Sequence, residues 1–392
     1  MKHIYFDHAA STPVRREVVK AMMPYFSTHF GNPSSLHSTG QIAIAAIDKA
    51  REMVAKAINA SFREIIFTGS ATEANNLALR GAVRVFKLAN PNIKPRVIIS
   101  AIEHESVLET AKDLSRDGVE FVMIPVNENG VIDIPRLKYE LNERTVIVSV
   151  MYVNNEIGTV EPIVEIASVI KNYKLKIKNS SRSYPLLHTD AVQAFNYFEC
   201  DVNMLGIDMM TLSGHKIGGP KGVGCLYVKN TKLTAPIITG GGQEFGLRSG
   251  TENIACIVGF AEAIKLAIKE RKKEYTRLLT LKKYFWINIK KILPDAHVYG
   301  FPEKQFAHAS PHILNVAWRG APLDDTLVRL DMMGIAASSG SACASRASTH
   351  SHVLSALLEN ASRGIRFSFG RATTRAEIDE VLTRMRRAFK AK

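Results

Sequence analysis

Cysteine is scarce in this chain: four in 392 residues. That count excludes a disulfide-built scaffold and leaves room for one or two reactive thiols in a reducing compartment. No run of about 18 uncharged apolar residues occurs; the best candidate, Ile254–Ile268, carries Glu262 and Lys265, so no transmembrane helix is expected. The opening residues, Met1 to Asp7, hold no apolar core and meet an acid at once, so no signal peptide and a cytoplasmic location are expected. Acid is in deficit: 37 Asp and Glu stand against 51 Lys and Arg, a net charge of +14. Such an excess suits polyanionic partners or an anionic ligand without establishing either. Basic-aromatic interleaving and zinc-ligand spacing are both missing, which argues against nucleic-acid binding as the primary role. No strand leads into Gly-x-Gly-x-x-Gly, and Gly240-Gly241-Gly242 opens no clear helix, so a dinucleotide-binding fold is not expected.

What is present is a chain that is 46% hydrophobic and 22% charged, enough to bury a large core. Strand-like and helix-like segments alternate. Ile65–Thr68 runs into Gly69-Ser70-Ala71-Thr72-Glu73, and a helical pattern follows from Ala74 to Phe86. Further strands are expected at Arg96–Ile102, Glu120–Pro125, Thr145–Met151, Leu186–Asp190, Met209–Ser213 and Gly224–Lys229, with helices at Ser106–Arg116 and Ile163–Tyr173. The alternation predicts an α/β fold with a mostly parallel sheet, whose ligands bind at the carboxyl ends of the strands. From about residue 255 the pattern changes to a long helical stretch, a strand near His312–Trp318, and a last helix opened by a Thr374-x-x-Glu377 capping box. The expected division is a large domain over 16–254 and a small one over 255–392, joined by an N-terminal arm, 1–15. Lys171–Arg182 holds five cations and no acid and is expected to be a solvated loop or exposed hairpin.

Three segments carry chemistry. In Ser213-Gly214-His215-Lys216 a lysine follows a strand inside a glycine-containing loop. Shielded from water, such an amine loses its proton more readily and becomes a nucleophile toward carbonyl groups. Asp190 ends an apolar strand, where a carboxylate needs a cation or donors; a protonated pyridine nitrogen is one such cation. Ser70-Ala71-Thr72 lies where a strand meets a helix, a position that attracts phosphate. Lysine, aspartate and phosphate-type helix start together suit pyridoxal phosphate.

The remaining motifs resemble one family. Tyr5-Phe6-Asp7-His8-Ala9-Ala10, Gly31-Asn32-Pro33-Ser34-Ser35-Leu36-His37, Glu103-His104, Asn154-Asn155-Glu156-Ile157-Gly158, Ser213–Lys216, Arg248-Ser249-Gly250-Thr251, Ser338-Ser339-Gly340-Ser341-Ala342-Cys343 and Ile365–Arg371 are similar, in order and over nearly the whole chain, to cysteine desulfurases of the NifS/IscS type. The resemblance implies a fold-type I pyridoxal-phosphate transferase, with a mostly parallel large domain, a smaller α+β domain that carries the Cys343 loop, and a homodimer with interfacial sites. It implies that Lys216 holds the cofactor covalently, that Asp190 pairs with the ring nitrogen and Gln193 with the ring hydroxyl, and that His104 stacks on the ring. Ala71, Thr72, Ser213 and His215 would hold the phosphate, with Thr251 reaching it from the second subunit. Asn154 would lie near ring and substrate, and Arg371 would clamp the substrate carboxylate.

By the same resemblance Cys343 takes sulfur from L-cysteine, releasing L-alanine and keeping a persulfide. The sulfur would go to an iron-sulfur scaffold protein or a tRNA-thiolation factor, with a transient tRNA contact and no membrane. The small polar residues around Cys343 suit a loop nucleophile, whereas Cys225 and Cys256 sit in apolar contexts. The alternative is a selenocysteine lyase or another class V aminotransferase. The chain departs from the family pattern at Gly69-Ser70, where Ser-Gly is usual, and at Phe245, where Arg is usual. Residues 176–184 look like an insertion. Only 21 residues follow Arg371, so the scaffold-docking tail of housekeeping members is expected to be absent. The basic clusters are expected to serve sulfur delivery rather than the chemical step, with solubility alone as the alternative.

Overall fold

The structure is a computed structural model, and it describes residues 3–176, 183–318, 323–340, 351–358 and 364–389. Seven strands form the main sheet in the spatial order 65–68, 224–228, 209–213, 186–190, 145–149, 96–100, 120–124. All run parallel except Gly224–Val228, which lies antiparallel between its two neighbours. Helices Ala71–Ala89, Glu105–Arg116 and Ile163–Lys176 cross between strands, as parallel pairing requires. The four central strands are buried at every residue, which explains their apolar runs. This is the expected α/β fold.

Because six strands share one direction, Thr68, Ser100, Ile124, Ser149, Asp190 and Ser213 end at the same edge. The antiparallel strand begins there, with Gly224 paired to both Thr68 and Ser213. A Cβ on Gly224 would lie 2.5 Å from the Ser70 carbonyl carbon and 2.8 Å from the Ala71 nitrogen. Only glycine lets strand and helix start approach this closely.

The rest of the chain builds a second apolar core around a three-stranded antiparallel sheet, 365–368, 313–317, 297–299. Helix Ile254–Ile292 serves both cores: Phe260 and Ile264 pack beneath the main sheet, Leu278, Phe285 and Ile289 in the second core. The two cores therefore meet within this helix, between Ala267 and Leu278. Ile4-Tyr5 pairs in parallel with Ile335-Ala336, and Phe6 is fully buried in the second core. Helix Arg375–Phe389 opens with the expected reciprocal cap: the Thr374 amide donates to Glu377 (3.1 Å), and the Glu377 amide donates to Thr374 Oγ1 (3.2 Å).

The basic segment corrects one expectation. Residues 171–176 continue helix Ile163–Lys176, and Lys174 Nζ reaches Asp208 at 3.5 Å. The segment lacks acids in sequence but meets one in space; residues 177–182 lie outside the described residues. Phe245 also finds a place. Arg51 and Glu244 form a bidentate pair, 2.7 Å at each contact, with side chains 5% and 1% exposed. The rings of Phe62, Phe67 and Phe245 surround the guanidinium at 5.5, 4.8 and 4.9 Å. Glu244 also accepts the Phe67 amide at 2.8 Å. Glu244→Ala strands a dry guanidinium and is expected to lower the unfolding free energy by about 3–5 kcal/mol. Denaturant unfolding measures it, and a loss below about 1 kcal/mol would show that water reaches the pair.

Candidate active site

The loop after strand Met209–Ser213 is clamped from two sides. The Thr12 amide and hydroxyl both donate to the His215 carbonyl, at 2.9 and 2.8 Å, and Asn196 Nδ2 donates to the Lys216 carbonyl at 2.9 Å. Lys216 Nζ then donates to the carbonyls of Ala9 (2.5 Å) and Ala10 (2.8 Å). The N-terminal arm thus supplies the acceptors for the strand-end lysine. Ser213 Oγ and His215 Nδ1 lie 2.9 Å apart. Burial first, then the charges of Lys216 and Lys221, pulls His215 down to about 4, so it is a neutral hydrogen-bonding group at neutral pH.

Asp190 closes strand Leu186–Asp190 and is 5% exposed. Its carboxylate accepts the Val192 amide at 3.0 Å and Asn75 Nδ2 at 2.9 Å. Asn75 also donates to Ser106 Oγ (2.8 Å), and Ser106 Oγ lies 2.8 Å from His104 Nδ1. The Ser106 amide donates to that same Nδ1 at 3.1 Å. Nδ1 is therefore an acceptor, and the ring proton of His104 sits on Nε2. Burial holds His104 below the ordinary imidazole range; Asp190 opposes this and Lys216 reinforces it. Asp190, His104, Lys216 and His215 accordingly share one electrostatic neighbourhood. Glu103 stands behind His104, 1% exposed, and its carboxylate accepts the Met151 amide at 2.6 Å.

Beside this cluster lies the start of helix Ala71–Ala89. Ser70 caps it by accepting the Glu73 amide at 3.2 Å, and Thr72 is exposed there. A carboxylate to accept from a protonated ring, with a lysine, an imidazole and the amides of a helix start, makes a set of groups suited to a phosphate-bearing aldehyde with a cationic ring. Among the described residues no His/Cys/Asp/Glu cluster suited to a metal occurs.

The other expected residues divide. Gln193 is buried, but its amide already serves two partners: Nε2 donates to the Ala9 carbonyl at 3.0 Å, and Oε1 meets His312 Nε2 at 3.1 Å. Asn154 is fully buried and occupied with its own turn. Its Oδ1 accepts the Glu156 and Ile157 amides and its Nδ2 donates to the Ile102 carbonyl. Thr251 is exposed, in a separate recess with Gly69, Arg248 and Glu252. Arg371 is not brought to the cluster: its side chain is 60% exposed and pairs with Glu270 at 3.1 Å, because it follows Gly370 out of strand Ile365–Ser368. Cys343 lies outside the described residues.

Three residues were missed. Asn75 falls on the buried face of its helix, among Ala74, Leu77 and Ala78; an amide in an apolar stripe is the signal that was available. Arg366 is 1% exposed and bonds Asp7 and the Asn155 carbonyl, both at 2.9 Å, while its Nε has no partner among the described residues. Its strand neighbours are apolar, which marks it as a buried charge with work to do. His312 is the third.

The family model for aminotransferase class-V matches residues 4–381. The chain is 40% identical over 384 residues to cysteine desulfurase IscS of Dictyoglomus turgidum, covering 97% of this chain and 93% of that protein. It is 41% identical over 381 residues to cysteine desulfurase IscS 1 of Archaeoglobus fulgidus, covering 96% and 94%. Among solved structures it resembles a NifS-like protein, with a TM-score of 0.88 at 32% identity over 98% and 99% of the chains. It also resembles SspA in complex with cysteine, with a TM-score of 0.77 at 34% identity over 93% and 98%.

The Asn75 bridge gives a test of the cluster's own energetics. Asn75→Ala leaves Asp190 and Ser106 each short of a donor inside the protein. It is expected to destabilise the cofactor-free protein by about 1–3 kcal/mol. An unfolding midpoint equal to wild type would mean that water replaces the amide.

Proposed function

The chain belongs to the class-V aminotransferase family and, within it, to the cysteine desulfurases; from that premise we propose that it moves the sulfur of L-cysteine onto Cys343, releases L-alanine, and passes the sulfur to an acceptor. The observation that carries this reading is the meeting of Lys216, Asp190 and His104 at the carboxyl edge of the main sheet. The residues fit pyridoxal 5'-phosphate. The Asp190 carboxylate would face the ring nitrogen, and the His104 ring would lie against the ring face. Gln193 retains a second amide hydrogen for the ring hydroxyl. The Ala71 and Thr72 amides, Ser213 and His215 would hold the phosphate, with Thr251 of a second copy. Exposed Phe26, Phe30 and Leu36, 61%, 70% and 93% accessible, support pairing of two copies.

When bound, the cofactor supplies an electron sink beside the substrate α-carbon. Lys216 Nζ takes the α-proton and later returns one. The Ala9 and Ala10 carbonyls aim Nζ, so little reorganisation precedes transfer. Arg366, in place of Arg371, holds the substrate carboxylate: it is buried near Asp7, and its charge and that of Lys216 both act on His312. A planar fork with unspent donors suits that task. The Cys343 thiolate attacks the substrate sulfur; an S–S bond forms as the C–S bond breaks, and the bonding pair, with a proton, stays on the substrate carbon. Asn154 acts by holding the turn Asn154–Ile157.

The sulfur acceptor is an iron-sulfur scaffold or tRNA-thiolation protein, in the reducing cytoplasm where free thiols such as Cys200 and Cys225 persist. No helix among the described residues is long and apolar enough to cross a membrane.

The decisive assay is alanine and sulfide release from L-cysteine with a reductant. Lys216→Ala is expected to lose the cofactor's visible absorption and at least about 10³-fold in kcat; near-wild-type turnover in that variant would remove Lys216 from its role. Cys343→Ser is expected to keep the absorption and its change on adding cysteine, yet to form no persulfide by mass spectrometry. A persulfide found on Cys200, Cys225 or Cys256 of the wild type, with none on Cys343, would overturn the assignment.

A further inference from the structure

A buried hydrogen-bonded path runs from the second core to the catalytic lysine. Lys282, 1% exposed on the long helix, donates to the Ser310 carbonyl at 3.0 Å and lies 4.6 Å from the centre of the Phe306 ring. Ser310 Oγ is 2.5 Å from His312 Nδ1, and His312 Nε2 is 3.1 Å from Gln193 Oε1. Gln193 Nε2 donates to the Ala9 carbonyl, the same oxygen that takes Lys216 Nζ. Ser310, His312 and Gln193 are all buried, and His312 lies against the Tyr197 ring, 4.5 Å between centres at 32°.

The chemistry sets every orientation along this path. The Ala9 carbonyl can only accept, so the Gln193 amide must turn its nitrogen toward it. The amide oxygen then faces His312, so Nε2 of His312 must carry the proton. In a neutral ring Nδ1 is then the acceptor, and the Ser310 hydroxyl donates to it. Burial, with the Lys282 charge next, holds His312 well below the ordinary imidazole range and keeps it neutral. Burial also draws Lys282 down to about 7.

We propose that His312, held by Ser310 and Lys282, is a positioning residue for the desulfurase reaction: its Nε2–H locks the Gln193 amide so that its nitrogen faces Ala9 and the cofactor ring. The path ties the second core, through Ser310 and His312 just before strand Ile313–Ala317, to the carboxyl edge of the main sheet. His312 acts through Gln193, the residue its Nε2 meets. The proposal rests on the cysteine desulfurase reading and on pyridoxal phosphate in the site.

The test compares variants of the pyridoxal-phosphate-loaded protein. His312→Phe keeps a ring against Tyr197 and removes both nitrogens. It is expected to shift the visible absorption maximum of the bound cofactor at fixed pH. It is also expected to lower kcat about tenfold or more while KM for cysteine stays within about twofold, because the lost order bears on the ring and not on the substrate carboxylate. His312→Gln puts an amide donor near the position of Nε2 and is expected to recover both spectrum and kcat. His312→Asn reaches less far and should resemble His312→Phe. A wild-type spectrum and kcat in His312→Phe would overturn the proposal, as would a His312→Gln no better than His312→Asn. Should His312→Phe fail to fold, the Gln and Asn pair decides the question alone. A wild-type protein that releases no alanine from cysteine would sink the functional reading instead, while the spectra would still report on His312.

Discussion

Two carbonyls of the N-terminal arm hold the amine of Lys216, and most of the site's arrangement depends on that contact. Ala9 and Ala10 reach the lysine only because the arm is fastened at both ends. Ile4-Tyr5 is paired with Ile335-Ala336, and Phe6 is sunk in the second core. The Ala9 amide donates to Ser368 Oγ at 2.9 Å, and Thr12 grips the loop of His215. Lysine and carbonyls therefore come from opposite sides of the junction between the two cores. A site built this way is complete only when both cores are folded and docked. Local opening of the arm would release Nζ and expose the lysine to water, which weakens every charge interaction around it.

The buried strands raise a second constraint. Strands covered on both faces should be apolar throughout, yet these end in Ser149, Asp190 and Ser213, with His188, Thr189 and Thr211 before them. Each buried polar atom must find a partner or cost stability. The partners come from other elements: Asn75 for Asp190, the Val150 carbonyl for Thr189 Oγ1, Ser149 and Thr211 for His188. The polar ends of the strands thus organise one another before any ligand arrives. Such pre-set donors and acceptors lose little when chemistry begins.

Much of this was legible in the sequence, for reasons that differ by residue. Strands such as Leu186–Asp190 and Met209–Ser213 were readable because short stretches opened by Leu-Leu and Met-Met end in a polar residue. Lys216 and Asp190 stood out because they stand at or just after the end of a strand, where local context already demands a partner, whereas His104 stood out only through the Glu103-His104 motif. Asn75 offered only an amide in an apolar stripe, and His312 offered no signal, since their meaning lies in contacts 115 and 119 residues away along the chain. The two arginines of Ile365–Arg371 show the limit of motif reading. Both fit a carboxylate clamp by type, and only the packing separates buried Arg366 from Arg371, turned outward to Glu270. Lys174 fails in the opposite sense: its stretch has no acid, but folding brings Asp208 to it.

The thiols complete the physical case for where sulfur chemistry resides. Burial pushes Cys200 up to about 12 and Cys225 higher still, and it raises Cys256 as well. A thiol with a pKa near 12 is ionised in only about one molecule in 10⁵ at pH 7. Cys200 and Cys225 are, moreover, nearly sealed from solvent, 1% and 0% exposed, so neither can meet a substrate or hand sulfur to another protein. The same burial that stabilises the main sheet therefore silences two of the thiols. Sulfur transfer needs a thiolate that is both ionised and able to reach an acceptor. Of the other two cysteines in the sequence, Cys256 is partly exposed with its thiol raised by burial, and Cys343, the proposed sulfur acceptor, stands in a stretch of small polar residues.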